Sequence, residues 1–203
     1  MREAVKRVAR VLALVAVTPQ LISFALRSRV VGRDRALEGS TQALALVPGL
    51  AGQYLRRAFL AHALSACHET AAICFGTICS QTGAHIEANV YVGAHCFLGL
   101  VHIERDVLIG SAVHVTSGRH THGTADTSVP IRDQEGARTL VRIGEGAWIG
   151  SAAVIMADVG RYSVIGAGSV VTHPIPDGVV AAGVPARVIR QRTPVELSTG
   201  PIE

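Results

Sequence analysis

The sequence predicts a parallel β-helix, a solenoid of short strands, preceded by a helical segment. Three observations carry this reading. An aliphatic residue returns about every six positions from Ile86 to Val115, and the period resumes from Ile143 to Val171. Hydrophobic residues make up 49% of the chain but aromatics only 4%, so the core must be stacked aliphatics. The stretch before residue 70 is apolar and flanked by arginines, and it lacks the period.

From Ile86 the units read IEANVY, VGAHCF, LGLVH, IERDVL, IGSAVH and VTSGRH. The later run contains IGEGAW from Ile143, IGSAAV from Ile149 and IGAGSV from Ile165. Six is neither a helical period nor the two-residue alternation of one long strand. It fits a triangular coil in which each unit makes one strand and one corner. The opening aliphatic then points inward and stacks on its equivalent one coil away. The small or β-branched fifth residue, such as Val90, Cys96, Val107 or Val113, also points inward. Glycine in second place is expected to relieve the corner's turn. Ile73 opens a degenerate earlier stretch, and about fourteen faces imply roughly five coils.

Residues 1–70 form the helical segment. Val11 to Val17 is strongly apolar, Thr18-Pro19-Gln20 interrupts it, and Leu21 to Leu26 resumes. The uninterrupted run is too short for a bilayer span, and no small-x-small cleavage site follows it. One or two amphipathic helices are expected, packed on the solenoid end or on a neighbouring subunit. Peripheral contact with a membrane surface is the functional alternative. A second helical stretch, Leu44 to Leu64, should break at Pro48-Gly49. The solenoid is expected over 71–190, with an extended loop at 116–140, and a tail over 191–203.

Net charge is +4, with much of the excess near the two ends. No basic stripe interleaved with aromatics occurs, which disfavours nucleic acid as a partner. Cys67, Cys74, Cys79 and Cys96 form no C-x-x-C pair, and no histidine pair has zinc-finger spacing. They read as reduced, mostly buried thiols of a cytoplasmic protein.

The repeat breaks once, at TSGRHTHGTADTSVPIRDQEGARTL. So long a loop in a regular solenoid is usually functional. It holds the only close histidine pair, His120 and His122, with Asp126 and Glu135. Histidine titrates near neutrality, which suits a general base. A base needs an orienting partner, and Asp126 and Glu135 are candidates for that role or for binding an acceptor. Backbone N–H groups of Gly150 and Ser151 are candidates to stabilise an oxyanion. The glycines of Ile165-Gly166-Ala167-Gly168 belong to the repeat and not to a dinucleotide fingerprint, because no strand-to-helix turn follows.

Residues 73–190 resemble the hexapeptide-repeat acetyltransferases, most closely in VRIGEGAWIG and VIGAGSVVTHPIPDGVVAAGVPARVIR. The resemblance implies a left-handed β-helix, a homotrimer, acetyl-CoA as donor and transfer to a hydroxyl of a sugar or polysaccharide precursor. It implies a loop histidine as base. Galactoside-type members place it five residues after the opening aliphatic, which gives His120. Polysaccharide types place it seven after, which gives His122, the preferred choice. It further implies that Trp148 borders the pantetheine arm. Gly150, Ser151, Gly166, Ala167, Gly168 and Ala182 would lie along the cofactor, with Arg187 and Arg190 on its phosphates. No metal is expected. The alternatives are a non-catalytic trimeric scaffold and a zinc β-helix carbonic anhydrase, whose paired histidines need a spacing absent here. The implied location is the cytoplasm, including the inner face of the membrane.

Overall fold

A computed structural model describes residues 2–192. Three helices come first: α1 (Arg2–Val31), α2 (Arg33–Ala45) and α3 (Gly49–Ala63). The solenoid then begins at Ala66, earlier than the expected residue 71. Residues 193–203, most of the expected tail, lie outside the described residues.

Three parallel sheets form the walls of the prism. The first joins Ala66–Cys67, His85–Ile86, Val101–Ile103 and Val141–Ile143, and single bridges carry it on through Val159 to Ile175. The second runs from Ala72–Ile73 through Tyr91–Val92, Leu108–Ile109, Trp148–Ile149 and Val164–Ile165 to Val179–Gly183. The third runs from Ile78–Cys79 through Phe97–Leu98, His114–Val115 and Val154–Ile155 to Val170–Val171. The unit-opening residues stack in register: Val92 on Ile109, Ile109 on Ile149, Ile149 on Ile165. All four are buried, as are the fifth-position residues Val90, Cys96, Val107 and Val113.

The stack has about 6 turns, one more than expected. The first turn was hidden because cysteine replaces the opening aliphatic at Cys67 and Cys79. Cys79 is buried, and a thiol fills the same inward position as a small hydrophobe. No cysteine is in a disulfide, and burial pushes the Cys67 thiol up to about 12.

Glycine in second place has a different reason from the one expected. The left-handed backbone falls at the fourth position of the units, at Asn89, His95, Asp106, Ala112, Ala152 and Tyr162. Second-position glycines are needed because the next coil comes too close. A Cβ on Gly110 would lie 2.7 Å from the Ser151 nitrogen, and one on Gly150 would lie 2.5 Å from the Ala167 nitrogen.

Pro48 and Gly49 separate α2 from α3 as the sequence suggested. Pro19 does not interrupt α1, however, and the helix is continuous from Arg2 to Val31. A proline removes one internal hydrogen bond and crowds the preceding turn. Thr18 Oγ1 donates to the Leu14 carbonyl at 2.9 Å in that turn. Buried Val17 and Phe24 hold the helix to its neighbours on either side of the proline. The result is a 28-residue stretch, Ala4–Val31, long and apolar enough to cross a bilayer, which corrects the expectation that the run is too short.

The helices cap one end of the prism. α2 packs on Ile78–Cys79, and α3 packs on the first strands of the other two sheets. Thr41 Oγ1 donates to the Cys79 carbonyl at 3.1 Å and accepts from the Cys79 amide at 3.3 Å, pairing a strand edge that would otherwise be open. Buried Arg56 joins helix and solenoid by donating to the carbonyls of Ile73, Leu44 and Val47 at 2.8–3.0 Å. Its desolvation pulls the guanidinium pKa down from its usual value. At the other end Ala186–Gln191 turns back antiparallel on Val179–Gly183.

Candidate functional site

The long loop leaves the third sheet at Val115 and enters the first at Val141. Its root is a ladder between two arms. The Thr139 amide donates to the Ser117 carbonyl at 2.9 Å, and the Ala137 amide donates to the His120 carbonyl at 2.7 Å. Ser117 Oγ also accepts from the Leu100 amide at 2.9 Å, fixing the root to the coil below. Arg119 reaches the other way and donates to the Thr172 carbonyl at 2.9 Å. Thr172 directly follows the strand Val170–Val171, so the loop is tied to the coil that carries Gly166–Gly168.

The loop's outer part is organised by Gln134. Its Nε2 donates to the carbonyls of Asp126 and Val129 at 2.6 and 2.8 Å, and its Oε1 accepts from the Asp126 amide at 3.2 Å. Neither Ser117, Arg119 nor Gln134 was singled out from sequence. Nothing in one sequence distinguishes an anchoring side chain from a solvated one in a loop.

His120 and His122 are both exposed, and neither imidazole has a hydrogen-bond partner among the described residues. Asp126 is not brought to either histidine. Its Oδ1 accepts from the Ser128 amide at 2.8 Å and the Ser128 hydroxyl at 2.6 Å. Those bonds hold its pKa below the ordinary carboxylate value. Glu135 is exposed, and its carboxylate has no hydrogen bond or ion pair among the described residues.

Of the expected cofactor residues, Gly150, Ser151, Gly166, Ala167, Gly168 and Ala182 come together, just past the inward residues of the second sheet, whereas Trp148 lies on that sheet's outer face and Arg187 and Arg190 on the closing hairpin. Gly150, Gly166 and Ala182 each follow an inward residue of the second sheet, Ile149, Ile165 and Ala181, and those three residues stack in register. A Cβ on Gly166 would lie 2.7 Å from the Ala182 methyl, so these units sit one above another. Ser151 and Gly168 are joined by the Gly168 amide donating to the Ser151 carbonyl at 2.9 Å. Ala167 lies between the two glycines and is exposed. Arg187 pairs across the closing hairpin with Ala182, and Arg190 with Val180. Trp148 is exposed on the outer face of the second sheet, paired with Leu108 and Val164.

The two N–H groups proposed for an oxyanion are not equivalent. The Gly150 amide donates to the Ile165 carbonyl at 2.8 Å and is spent in the ladder. The Ser151 amide has no partner among the described residues, which leaves it as the one available donor.

A second polar cluster went unrecognised. His85, His102 and Arg142 pair in register on the outer face of the first sheet, just past the loop's exit. Arg142 Nη1 donates to His102 Nδ1 at 3.0 Å, which places the ring proton on Nε2, donating to Glu87 Oε1 at 2.7 Å. Each of the three directly precedes an inward aliphatic, so the six-residue register could have stacked them. No group of three or more residues fit to hold a metal ion occurs among the described residues.

No protein-family model matches the chain. Its sequence is 35% identical over 116 residues to the putative lipopolysaccharide biosynthesis O-acetyl transferase WbbJ of Escherichia coli K12, covering 53% of this chain and 58% of that protein. It is 60% identical over 53 residues to galactoside O-acetyltransferase of the same strain, 25% of this chain and 26% of that one. The matched segments thus span less than two thirds of these relatives. Among solved structures, galactoside acetyltransferase in complex with coenzyme A superposes with a TM-score of 0.55 at 26% identity, over 79% of this chain and 81% of that one. The six-residue solenoid, its one long loop bearing His120 and His122, and these matches make the chain similar in fold and sequence to the hexapeptide-repeat β-helix acetyltransferases.

Proposed function

We propose that the protein transfers an acetyl group from acetyl-CoA to a hydroxyl of a sugar or polysaccharide precursor. The observation that carries this reading is the loop: two exposed imidazoles with no hydrogen-bond partner among the described residues, on a root anchored to the coil that bears the glycine corner. One imidazole takes the acceptor's hydroxyl proton as its oxygen attacks the thioester carbonyl. The Ser151 N–H is the donor available to the developing oxyanion. The C–S bond then breaks, and the imidazolium returns its proton to the departing CoA sulfur, which leaves as the thiol and restores the neutral base. Catalytic groups must be held firmly, and the Ala137–His120 and Arg119–Thr172 bonds fix the backbone at His120. That favours His120 over the sequence preference for His122. Glu135 is free to orient the base or bind acceptor hydroxyls, whereas Asp126 shapes the loop. The glycine corner would take the pantetheine arm beside Trp148, and Arg187 and Arg190 the phosphates.

The working form is proposed to be a homotrimer. The loop imidazoles lack hydrogen-bond partners among the described residues, and Tyr91, Leu108 and Trp148 expose a continuous apolar column on the second sheet. A cyclic neighbour would cover that column and complete the site. Unpaired thiols support a reducing compartment, hence the cytoplasm.

Calorimetry on the full chain tests the donor half of this reading, with sedimentation on the same sample giving the assembly mass. CoA is expected to bind with or without EDTA. Arg187→Ala is expected to weaken binding about tenfold to a hundredfold, because a hydrogen bond to a charged group contributes about 1.5–3 kcal/mol. Binding that requires a divalent metal, or that is indifferent to Arg187, contradicts it.

A further inference from the structure

We infer that the outer face of α1 docks on an anionic phospholipid bilayer, with the helix lying in the plane of the surface. Val5, Val8, Leu12, Val15, Ile22 and Leu26 are all exposed and recur at gaps of three, four and seven, so they form one apolar stripe along the helix. The opposite side, with Ala13, Val17 and Phe24, is buried against the cap. The stripe widens at Leu12, where α1 and the start of α3 line an apolar groove of about 400 Å³. Leu50, 67% exposed, stands across that groove from Leu12, which is 64% exposed. An apolar patch of this extent on a soluble surface marks an interaction site.

Two further facts choose the occupant. Exposed arginines flank the stripe: Arg7 near one end, Arg29, Arg33 and Arg35 near the other. The nearest acidic group at that second end, Asp34, is engaged with the Thr82 amide and hydroxyl at 2.9 and 2.8 Å. Apolar surface bordered by cationic side chains matches the acyl and headgroup layers of an anionic leaflet. Next, α1 is tied to the body along its length. Arg10 pairs with Glu69 at 3.1 Å, and Arg27 donates to Ser40 at 2.7 Å. Those anchors are about 25 Å apart along the helix. To cross a bilayer, a helix so tied would have to break these bonds or carry Glu69 and Ser40 with it. It lies flat, stripe outward.

The full-length protein is floated with vesicles of phosphatidylcholine alone or of phosphatidylcholine with phosphatidylglycerol. It is expected to rise with the anionic vesicles and to be released by high salt. The double substitution Leu12→Glu with Ile22→Glu is expected to cut vesicle-bound protein at least tenfold, with the solenoid's circular dichroism unchanged. Should that variant misfold, Arg29→Glu with Arg33→Glu, on exposed positions, must still weaken binding to the anionic vesicles. Wild-type protein that stays in solution, or that binds both vesicle types equally, overturns the proposal. So does a well-folded stripe variant that floats like wild type. If the stripe substitutions instead dissociate an assembly and vesicles never bind, a second copy is the occupant and the proposal fails.

Discussion

Replacing the loop histidine proposed as the base with alanine is expected to lower turnover by about 10²–10⁴, the usual loss for a general base. His120→Ala and His122→Ala, made separately, identify it. The base variant should keep its CoA affinity, because the imidazole acts on the acceptor's proton and not on the cofactor. The other variant is expected to show a smaller effect, confined to the acceptor's Michaelis constant. The anchored backbone at His120 makes it the residue expected to show the large loss. If His122→Ala alone removes turnover, the polysaccharide-type spacing governs the loop and the fixed root serves only to present it. If both single variants keep full turnover on an acceptor that is acetylated, the loop is a binding element and the base lies elsewhere.

Ile149→Ala is expected to destabilise the protein by about 2–5 kcal/mol. Ile149 is fully buried and stacked between Ile109 and Ile165, at the centre of the second sheet's inner column. Neighbouring coils are held apart by the ladder spacing, so they cannot collapse into the space left behind. Stability of a domain is only about 5–15 kcal/mol in all, so the loss is a large fraction of it. In a solenoid each coil depends on its neighbours. The coils above Ile149 carry Gly166, Ala182 and Arg187, so CoA binding is expected to weaken along with the unfolding midpoint. Ile149→Val, which removes one methylene, should cost about 0.5–1.5 kcal/mol. Urea unfolding followed by circular dichroism gives both values. An alanine variant within about 0.5 kcal/mol of wild type would mean that the column is not what holds the stack.

How much of this was legible in the sequence depended on where side chains face. Inward positions repeat because they must pack on one another, so Ile86, Val92, Ile109 and Ile149 announced the solenoid without help. The first turn escaped because Cys67 and Cys79 satisfy the same packing with a residue that reads as chemistry and not as core. Glycine's role was misplaced for a related reason. Sequence shows that Gly93, Gly110 and Gly150 recur, but only coordinates show that the next coil's backbone fills the place of their Cβ atoms. The proline in α1 suggested a break because its local cost is known from sequence, whereas the packing of Val17 and Phe24 that overrides it is tertiary. At the candidate site, the glycine corner was legible as a geometric feature because it is built from the repeat itself. The loop was legible as an interruption only. That Asp126 turns to Ser128, that Gly150 spends its amide on Ile165 and that Arg142 meets His102 are facts of three-dimensional proximity with no period to reveal them.

The proposed reaction is acetyl transfer from acetyl-CoA to a sugar hydroxyl. The most direct measurement incubates the full-length protein with acetyl-CoA and a panel of free, nucleotide-linked and lipid-linked sugars, reading each acceptor by mass. One acceptor class is expected to gain the mass of an acetyl group as an ester, with an equivalent of CoA thiol released, and no gain is expected with the His120→Ala, His122→Ala double variant. An acetyl group found only on an amino nitrogen, or CoA thiol released at the same rate whether or not any acceptor is present, would contradict it.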